Sequence, residues 1–314
     1  MTCNQKSVKQ GMIIAKFANM MYYRRKILLA LLQAFDGQLG KTDLQKLLLI
    51  VTKLQPKPSF DFVPHRFGCY SYQSSWDLRA LKAYGIVAES DHGWEIIKVE
   101  DYRGMLVEDD KSRINHVARA YKDYNTDQLT KATYIEFPYY AIRSEKASKL
   151  LNKEELKVIE KYIPIDEEKS LFTIGYEGLN VESYFNKLIR NNVKVLCDVR
   201  RNALSQKVGF SKSTLSSVCE SLGIMYVHIP SLGIPSEKRQ NLKTQKDYDV
   251  LFADFESTYL VNQTSKLYSI LSLLNIHKRV ALTCFEASPC QCHRSKVAKG
   301  ITELPEWSYK LKHL

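Results

Sequence analysis

The sequence predicts a chain of two folded parts, a mainly α-helical basic front and an α/β back half built on a parallel sheet. Three observations predict this. Apolar residues recur at helical spacing over residues 22–84, and after residue 169 the pattern changes to short apolar strand runs alternating with helices. The 314 residues also exceed the ~100–200 of a single average domain. Hydrophobic residues at 45% and charged residues at 25% are those of an ordinary globular chain, which excludes a disordered or collagen-like protein. No run of about 18 apolar residues occurs, and the apolar patch near the start is short and interrupted for a signal peptide, so a cytoplasmic location is expected.

In the front half, Ile27, Leu28, Leu31, Leu32 and Phe35 lie at helical spacing over residues 22–36, and Gly37 supplies a stop. A second helix over 41–54 places Leu44, Leu47, Leu48 and Val51 on one face and ends before Pro56 and Pro58. The segment FDFVPHRFGCYS reads as an extended stretch and turn. A third helix over 72–84, with Trp76, Leu78 and Leu81 as core positions, closes at Gly85. Two strand-like pieces, IVAES and WEIIKV, flank the turn Asp91-His92-Gly93. Helix, helix, helix and hairpin is a winged-helix order. Further helical segments, SRINHVARAYKDY and KEELKVIEKY, precede a linker at 164–169. The expected division is a winged-helix-like basic domain over 1–110, a helical extension and linker over 111–166, and an α/β domain over 167–314.

The formal net charge is +12, and residues 1–60 hold ten Lys or Arg against only Asp36 and Asp43. A cationic front favours a polyanionic partner, because each phosphate contact releases counterions. The seven cysteines are odd in number and thinly spread, so a disulfide scaffold is excluded, but Cys284, Cys290 and Cys292 crowd one segment.

LQKLLLIV, the FGCYS turn, the helix carrying Trp76, Leu78 and Leu81, and TYIEFPYYAI together resemble the SocA-like antitoxin (Panacea) family over residues 20–145. That resemblance implies a helical, winged-helix-like core and a role as a partner or antitoxin in toxin–antitoxin and defence systems. Where that family commonly has Gly-Pro, this chain has Gly68-Cys69.

In the back half, LFTIGY, a helix over 181–190 and VKVLCDV form a strand–helix–strand unit, which requires parallel pairing. A helix over 213–222, the strand IMYVHI, a long helical stretch over 247–274 and the strand RVALTCF continue the alternation. Ligands of such sheets sit at the carboxyl ends of the strands, so the residues just beyond each strand are the candidates.

The first strand ends in Gly175-Tyr176-Glu177-Gly178, whose glycines before a helix are able to bring backbone N–H groups to an anion. A turn needing positive φ explains the same glycines. The second ends in Asp198-Val199-Arg200-Arg201, followed by Ser205 and KVGFSK. There Asp198 and Arg200 read either as a structural ion pair or as a carboxylate handling a proton beside guanidiniums that grip phosphate. The third ends at His228, more often a hydrogen-bonded residue than a catalyst. The last gives Cys284, Glu286, Cys290, Cys292, His293 and Arg294. A thiol at a strand mouth before an Arg and a helix suggests a nucleophile in an anion cradle, but C-x9-R and C-x3-R do not match the C-x5-R of such cradles. No cofactor is predicted. Zinc, if present, would fall on Cys284, Cys290, Cys292 and His293, whose C-x5-C-x-C-H spacing lacks the usual C-x2-C knuckles.

TIGYEG, the strand ending DVR, Ser205, GIMYVHIPSLG and ALTCFEASPCQCHR together resemble the domain-of-unknown-function 488 family over residues 170–300, with Cys290 outside the family pattern. The resemblance implies a Rossmann-like α/β fold and a shared pocket of Asp198, Arg200, Glu286, His293 and Arg294, without a settled chemistry. The expected function is that of a cytoplasmic nucleic-acid-associated protein whose back half takes a phosphate-bearing ligand, a nucleotide or nucleic acid. Asp198, Glu286, Cys284 and His293 are the candidates for chemistry, and Gly175, Tyr176, Gly178, Arg200, Arg201, Ser205 and Arg294 for holding the ligand. The alternative is a non-enzymatic regulator or antitoxin-like binding module with a protein partner for the front domain. No membrane partner is expected.

Overall fold

The computed structural model describes residues 21–239 and 242–314, so Lys6, Lys9 and Lys16 of the basic front lie outside the described residues. The chain forms two compact units, Met1–Tyr162 and Ile163–Leu314. No helix among the described residues is long and apolar enough to cross a membrane.

In the first unit, α1 (Tyr23–Ala34), β1 (Gln38–Leu39), α2 (Lys41–Leu54), the hairpin β2 (Val63–His65) and β3 (Gly68–Tyr70), and α3 (Tyr72–Ala83) precede the hairpin β4 (Val87–Ser90) and β5 (Gly93–Ile96). The two-residue β1 joins that hairpin in an antiparallel sheet of order β1-β5-β4. Then come α4 (Glu108–Tyr121), α5 (Thr126–Glu136), α6 (Ala147–Leu150) and α7 (Lys153–Glu160). Ile114 and Val117 of α4 and Leu129 of α5 join the core of α1 and α2, so helices after residue 110 belong to the same packed body. This explains why burial of α1 and α2 is broader than the one-faced stripe of the sequence pattern. Residues 27–32 of α1 and 44–52 of α2 are buried without interruption, because neighbours pack on several sides of each helix. Leu78 and Leu81 are core residues as expected, whereas Trp76 is only half-buried and rests against Tyr72 at a ring separation of 6.2 Å.

Much of the front's positive charge is used within the unit. Arg24 and Arg25 each place Nε 2.6 Å from a carboxylate oxygen of buried Asp77, and Lys41 pairs with Glu89 at 2.7 Å. Lys46 is 1% exposed, donates to the carbonyl of Phe67 and lies 5.5 Å from the Tyr134 ring. Gly68 has φ +95° and faces Lys46 and Tyr134 so closely that a Cβ would overlap them, which accounts for glycine at that turn.

In the second unit, β6 (Ser170–Gly175), α8 (Val181–Arg190), β7 (Val195–Asp198), α9 (Lys212–Ser221), β8 (Met225–His228), α10 (Gln245–Asp254), α11 (Thr264–His277), β9 (Arg279–Cys284), α12 (His293–Thr302) and β10 (Lys310–His313) alternate. All five strands are parallel, in the order β10-β6-β9-β7-β8. The chain steps one way from β6 to β7 to β8 and returns to β9 and β10, so right-handed crossovers put helices on both faces. Leu267, Ile270 and Leu274 of α11 and Val297 and Ile301 of α12 pack with Leu171, Val195, Cys197 and Leu282 on one face. Tyr184 of α8 reaches Thr283 on the other, with its hydroxyl 2.8 Å from Oγ1. The strands β6, β7 and β9 are buried at every position.

The helical stretch expected over 247–274 is interrupted. Residues 255–259 form a π-helical turn and 260–263 a 3-10 turn. Phe255 and Leu260 are both buried, and side chains five apart share a face only when the winding loosens beyond the α-helix.

Burial lowers the pKa of Lys46, working against Cys69 and Asp43, which favour its charge. The unfolded chain therefore holds the Lys46 proton to higher pH than the folded one, and stability gained at this residue rises with pH toward the ordinary lysine value of about 10.4. In urea titrations across pH 7 to 10.5, the wild type should gain stability relative to Lys46→Met as pH rises. A constant difference between the two would contradict the burial argument.

Candidate functional site

Strand β7 ends in a closed ion pair. Asp198 is fully buried and Arg200 5% exposed. Nε and Nη2 of Arg200 lie 2.8 and 2.5 Å from the two oxygens of Asp198, the backbone N–H of Arg200 donates to the same carboxylate at 3.1 Å, and Tyr226 Oη donates to it at 2.7 Å. Nη1 of Arg200 donates to Tyr176 Oη at 2.8 Å and to the carbonyl of Phe210 at 2.9 Å. Burial opposes the charge on Arg200, but hydrogen bonding and attraction to Asp198 outweigh it and raise its pKa. Burial, then the charge of Asp198, likewise pushes the Tyr226 phenol up. The bidentate edge of Arg200 thus grips Asp198 rather than a phosphate, and the carboxylate of Asp198 is occupied as an acceptor. Of the two readings left open by the sequence, a structural ion pair or a proton-handling carboxylate beside phosphate-gripping guanidiniums, this geometry is that of the ion pair.

In the glycine loop after β6 two backbone donors are taken up within the protein. Tyr176 N–H and Glu177 N–H donate to the carbonyl of Phe285 at 3.1 and 2.8 Å. A Cβ on Gly175 would overlap the carbonyl oxygen of Glu286, so glycine here allows the β6 and β9 loops to touch. Gly178 has φ +74° and open space around its Cα, as a turn requires. The Tyr176 ring stacks on Phe210 with centroids 4.4 Å apart.

Beyond β9 the side chains converge. Cys284 Sγ lies 3.6 Å from His293 Nδ1 and 3.3 Å from Glu286 Oε2. His293 is fully buried and its Nε2 lies 2.9 Å from the carbonyl oxygen of Val199. That acceptor takes the Nε2 proton in a hydrogen bond, and Nδ1 is the nitrogen that faces the thiol. Cys292 is fully buried nearby, and burial followed by its contact with Cys284 raises its thiol pKa. Arg294 donates to the carbonyls of Glu286 and, at 2.8 Å, of Ala287. Through these two bonds it clamps the loop. Cys290 is exposed and falls outside the cluster of Cys284, Cys292 and His293.

A cavity of about 460 Å³ opens at these strand ends. Cys284 lines it, together with Tyr176, Ile234, Leu204 and Phe285 as apolar walls. Arg200, Arg201, Asn202, Ser205, Gln206 and Lys207, all from the segment after β7, supply its polar side. Arg201 is exposed, and Lys207 Nζ donates to the Tyr176 carbonyl at 2.9 Å. Burial lowers the Lys207 pKa. Of the residues anticipated from sequence, Tyr176, Arg200, Arg201, Ser205 and Cys284 line this space, while Gly175, Asp198, His293 and Arg294 support its walls. His228 Nε2 bonds the Arg200 carbonyl at 2.9 Å, also as support. Lys207, Gln206, Asn202 and Tyr226 were not anticipated. Lys207 stood in the KVGFSK segment, and Tyr226 shares the side of β8 that faces the end of β7.

A parallel α/β sheet with a cavity of mixed lining at its carboxyl ends is the architecture of this unit. Residues 180–301 match the profile of the family described as Domain of unknown function DUF488, which bears out the resemblance of the back half. No curated protein and no solved structure matches the chain.

Removing the charge of Asp198 leaves a buried guanidinium without its counter-ion. Asp198→Asn should cost about 3 kcal/mol in denaturant unfolding, against about 1 kcal/mol for Tyr226→Phe, which removes one hydrogen bond. Equal small losses would show that the pair does not hold the strand end.

Proposed function

We propose that the C-terminal unit binds a phosphate-bearing ligand of nucleotide size, either free or at the end of a nucleic acid, in the cavity at the strand ends. The observation that supports this reading is the lining itself. Arg201 and Lys207 supply cations for a phosphate, and Phe285, Tyr176 and Leu204 line the same space as apolar surface for a planar base. Leu204 is 86% and Phe285 42% exposed, an apolar lip beside a basic loop. The volume falls within the ~300–1,000 Å³ usual for small-molecule sites.

The first unit is read as a winged-helix-like module, on its helix–strand–helix–hairpin–helix–hairpin order, in which β2 and β3 are an insertion between the second and third helices, and on the pairing of β1 with β5. Arg24, Arg25, Lys41 and Lys46 are engaged within that unit, so the phosphate contacts of the proposal are assigned to the C-terminal cavity. One observation favours a protein partner for the front, the antitoxin-like reading. The rings of His65, Tyr70, Tyr72 and Trp76 form a continuous run with separations of 5.0, 4.9 and 6.2 Å, and all but Tyr72 are half-buried. Aromatic residues of this kind anchor protein interfaces. Such a grip resists salt, whereas phosphate contacts weaken as salt rises.

Calorimetric titration with nucleoside monophosphates and with a 5′-phosphorylated oligonucleotide tests the cavity. Arg201→Ala with Lys207→Ala should weaken binding at least about tenfold, near 1.4 kcal/mol, and Arg201→Ala alone, which removes an exposed side chain, should weaken it without moving the melting temperature. Equal affinity in wild type and double variant would overturn the proposal. Binding of the oligonucleotide alone would assign the ligand to nucleic-acid ends.

A further inference from the structure

Cys284 and His293 as a nucleophile and its base leave one observation unexplained, the second buried thiol. Sγ of Cys284, Sγ of Cys292 and a nitrogen of His293 all lie within 4.8 Å of one another, and all three residues are fully buried. We propose that Cys284, Cys292 and His293 bind one zinc ion whose fourth coordination position opens on the cavity at the strand ends.

Four features carry the inference. The first is distance. Zinc–sulfur bonds of about 2.3 Å and zinc–nitrogen bonds of about 2.0–2.1 Å, set at a tetrahedral angle, separate the two donors by about 3.6 Å. Cys284 Sγ and His293 Nδ1 are 3.6 Å apart.

The second is the tautomer. The Nε2–H bond to the Val199 carbonyl leaves Nδ1 as the donor and holds the ring in place, the outer-shell arrangement typical of zinc-bound histidines. The third is charge. Binding displaces the two thiol protons to solvent, and two thiolates neutralise the dication, so the cluster stays buried without net charge.

The fourth is access. Cys284 borders the cavity although none of the three donors is solvent-exposed, so the proposal places the ion's remaining position on the Cys284 side, toward that space, as in catalytic rather than structural zinc sites. Glu286, with Oε2 3.3 Å from Cys284 Sγ, stands beside the ion as a hydrogen-bond partner for whatever occupies that position. The site differs from the four-residue set suggested by spacing, since Cys290 is exposed and takes no part. It does not depend on the identity of the cavity's ligand.

Cobalt reports on this site without any assay of activity. The full chain, stripped of metal by a chelator and kept reduced, is titrated with Co2+ and followed by absorption. The expected result is saturation at one equivalent, with thiolate-to-metal charge transfer from two sulfurs and the strong d–d bands of a tetrahedral ion, all bleached by Zn2+. Cys290→Ser should leave the spectrum unchanged, and Cys292→Ser should lose half the charge-transfer intensity or all binding. The wild-type spectrum decides even where a variant fails to fold. No binding at several equivalents of Co2+, or a weak octahedral spectrum without thiolate bands, would overturn the proposal.

Discussion

The carboxylate of Asp198 organises the C-terminal unit. It lies at the end of a strand buried on both faces, where an unpaired charge would be costly, and it accepts hydrogen bonds from Arg200, from the backbone of Arg200 and from Tyr226. That pairing consumes the guanidinium edge that would otherwise meet a ligand. It also aims Nη1 of Arg200 at Tyr176 and Phe210, so the end of β7 is tied to the loop after β6 and to the segment before α9. The wall of the cavity follows from these ties. Tyr176, held by Arg200 and stacked on Phe210, faces the same space as Cys284, and Arg201 and Lys207 lie on the segment that leaves the ion pair.

Other buried cations act in the same way. Arg294 holds the carbonyls of Glu286 and Ala287, and Arg279 donates to the carbonyls of Asn191 at 2.7 Å and Glu168 at 2.9 Å. In the first unit, Asp77 gathers Arg24 and Arg25. Lys46, Arg279 and Arg294 carry their charge in the interior, so part of the formal +12 is not offered at the surface. Arg201 and Lys207 are basic residues that remain beside a cavity.

The architecture was largely legible in the sequence because its strands are buried on both faces. VKVLCDV and RVALTCF contain β7 and β9, LFTIGY covers all of β6 but Ser170, and the helix expected over 181–190 coincides with Val181–Arg190. The edge strand β10 was missed, since Lys310-Leu311-Lys312-His313 carries no buried run and owes its conformation to pairing with β6. The site was legible in membership but not in roles. Asp198, Arg200, Cys284, Glu286 and His293 do lie close together, yet the engaged N–H groups of Tyr176 and Glu177 and the closed grip of Arg200 depend on neighbours distant in sequence. Spacing also could not separate Cys290 from Cys292, two residues apart, of which one is exposed and the other buried beside Cys284.

The central claim is that the cavity enclosed by the ends of β6, β7 and β9 is where the ligand sits. Photo-crosslinking with an azido-nucleotide, followed by peptide mapping, tests it most directly. The account predicts adducts on the 201–207 segment and on Phe285, suppressed by excess unmodified nucleotide. Suppressible adducts confined to other parts of the chain, or no suppressible adduct at all, would contradict it.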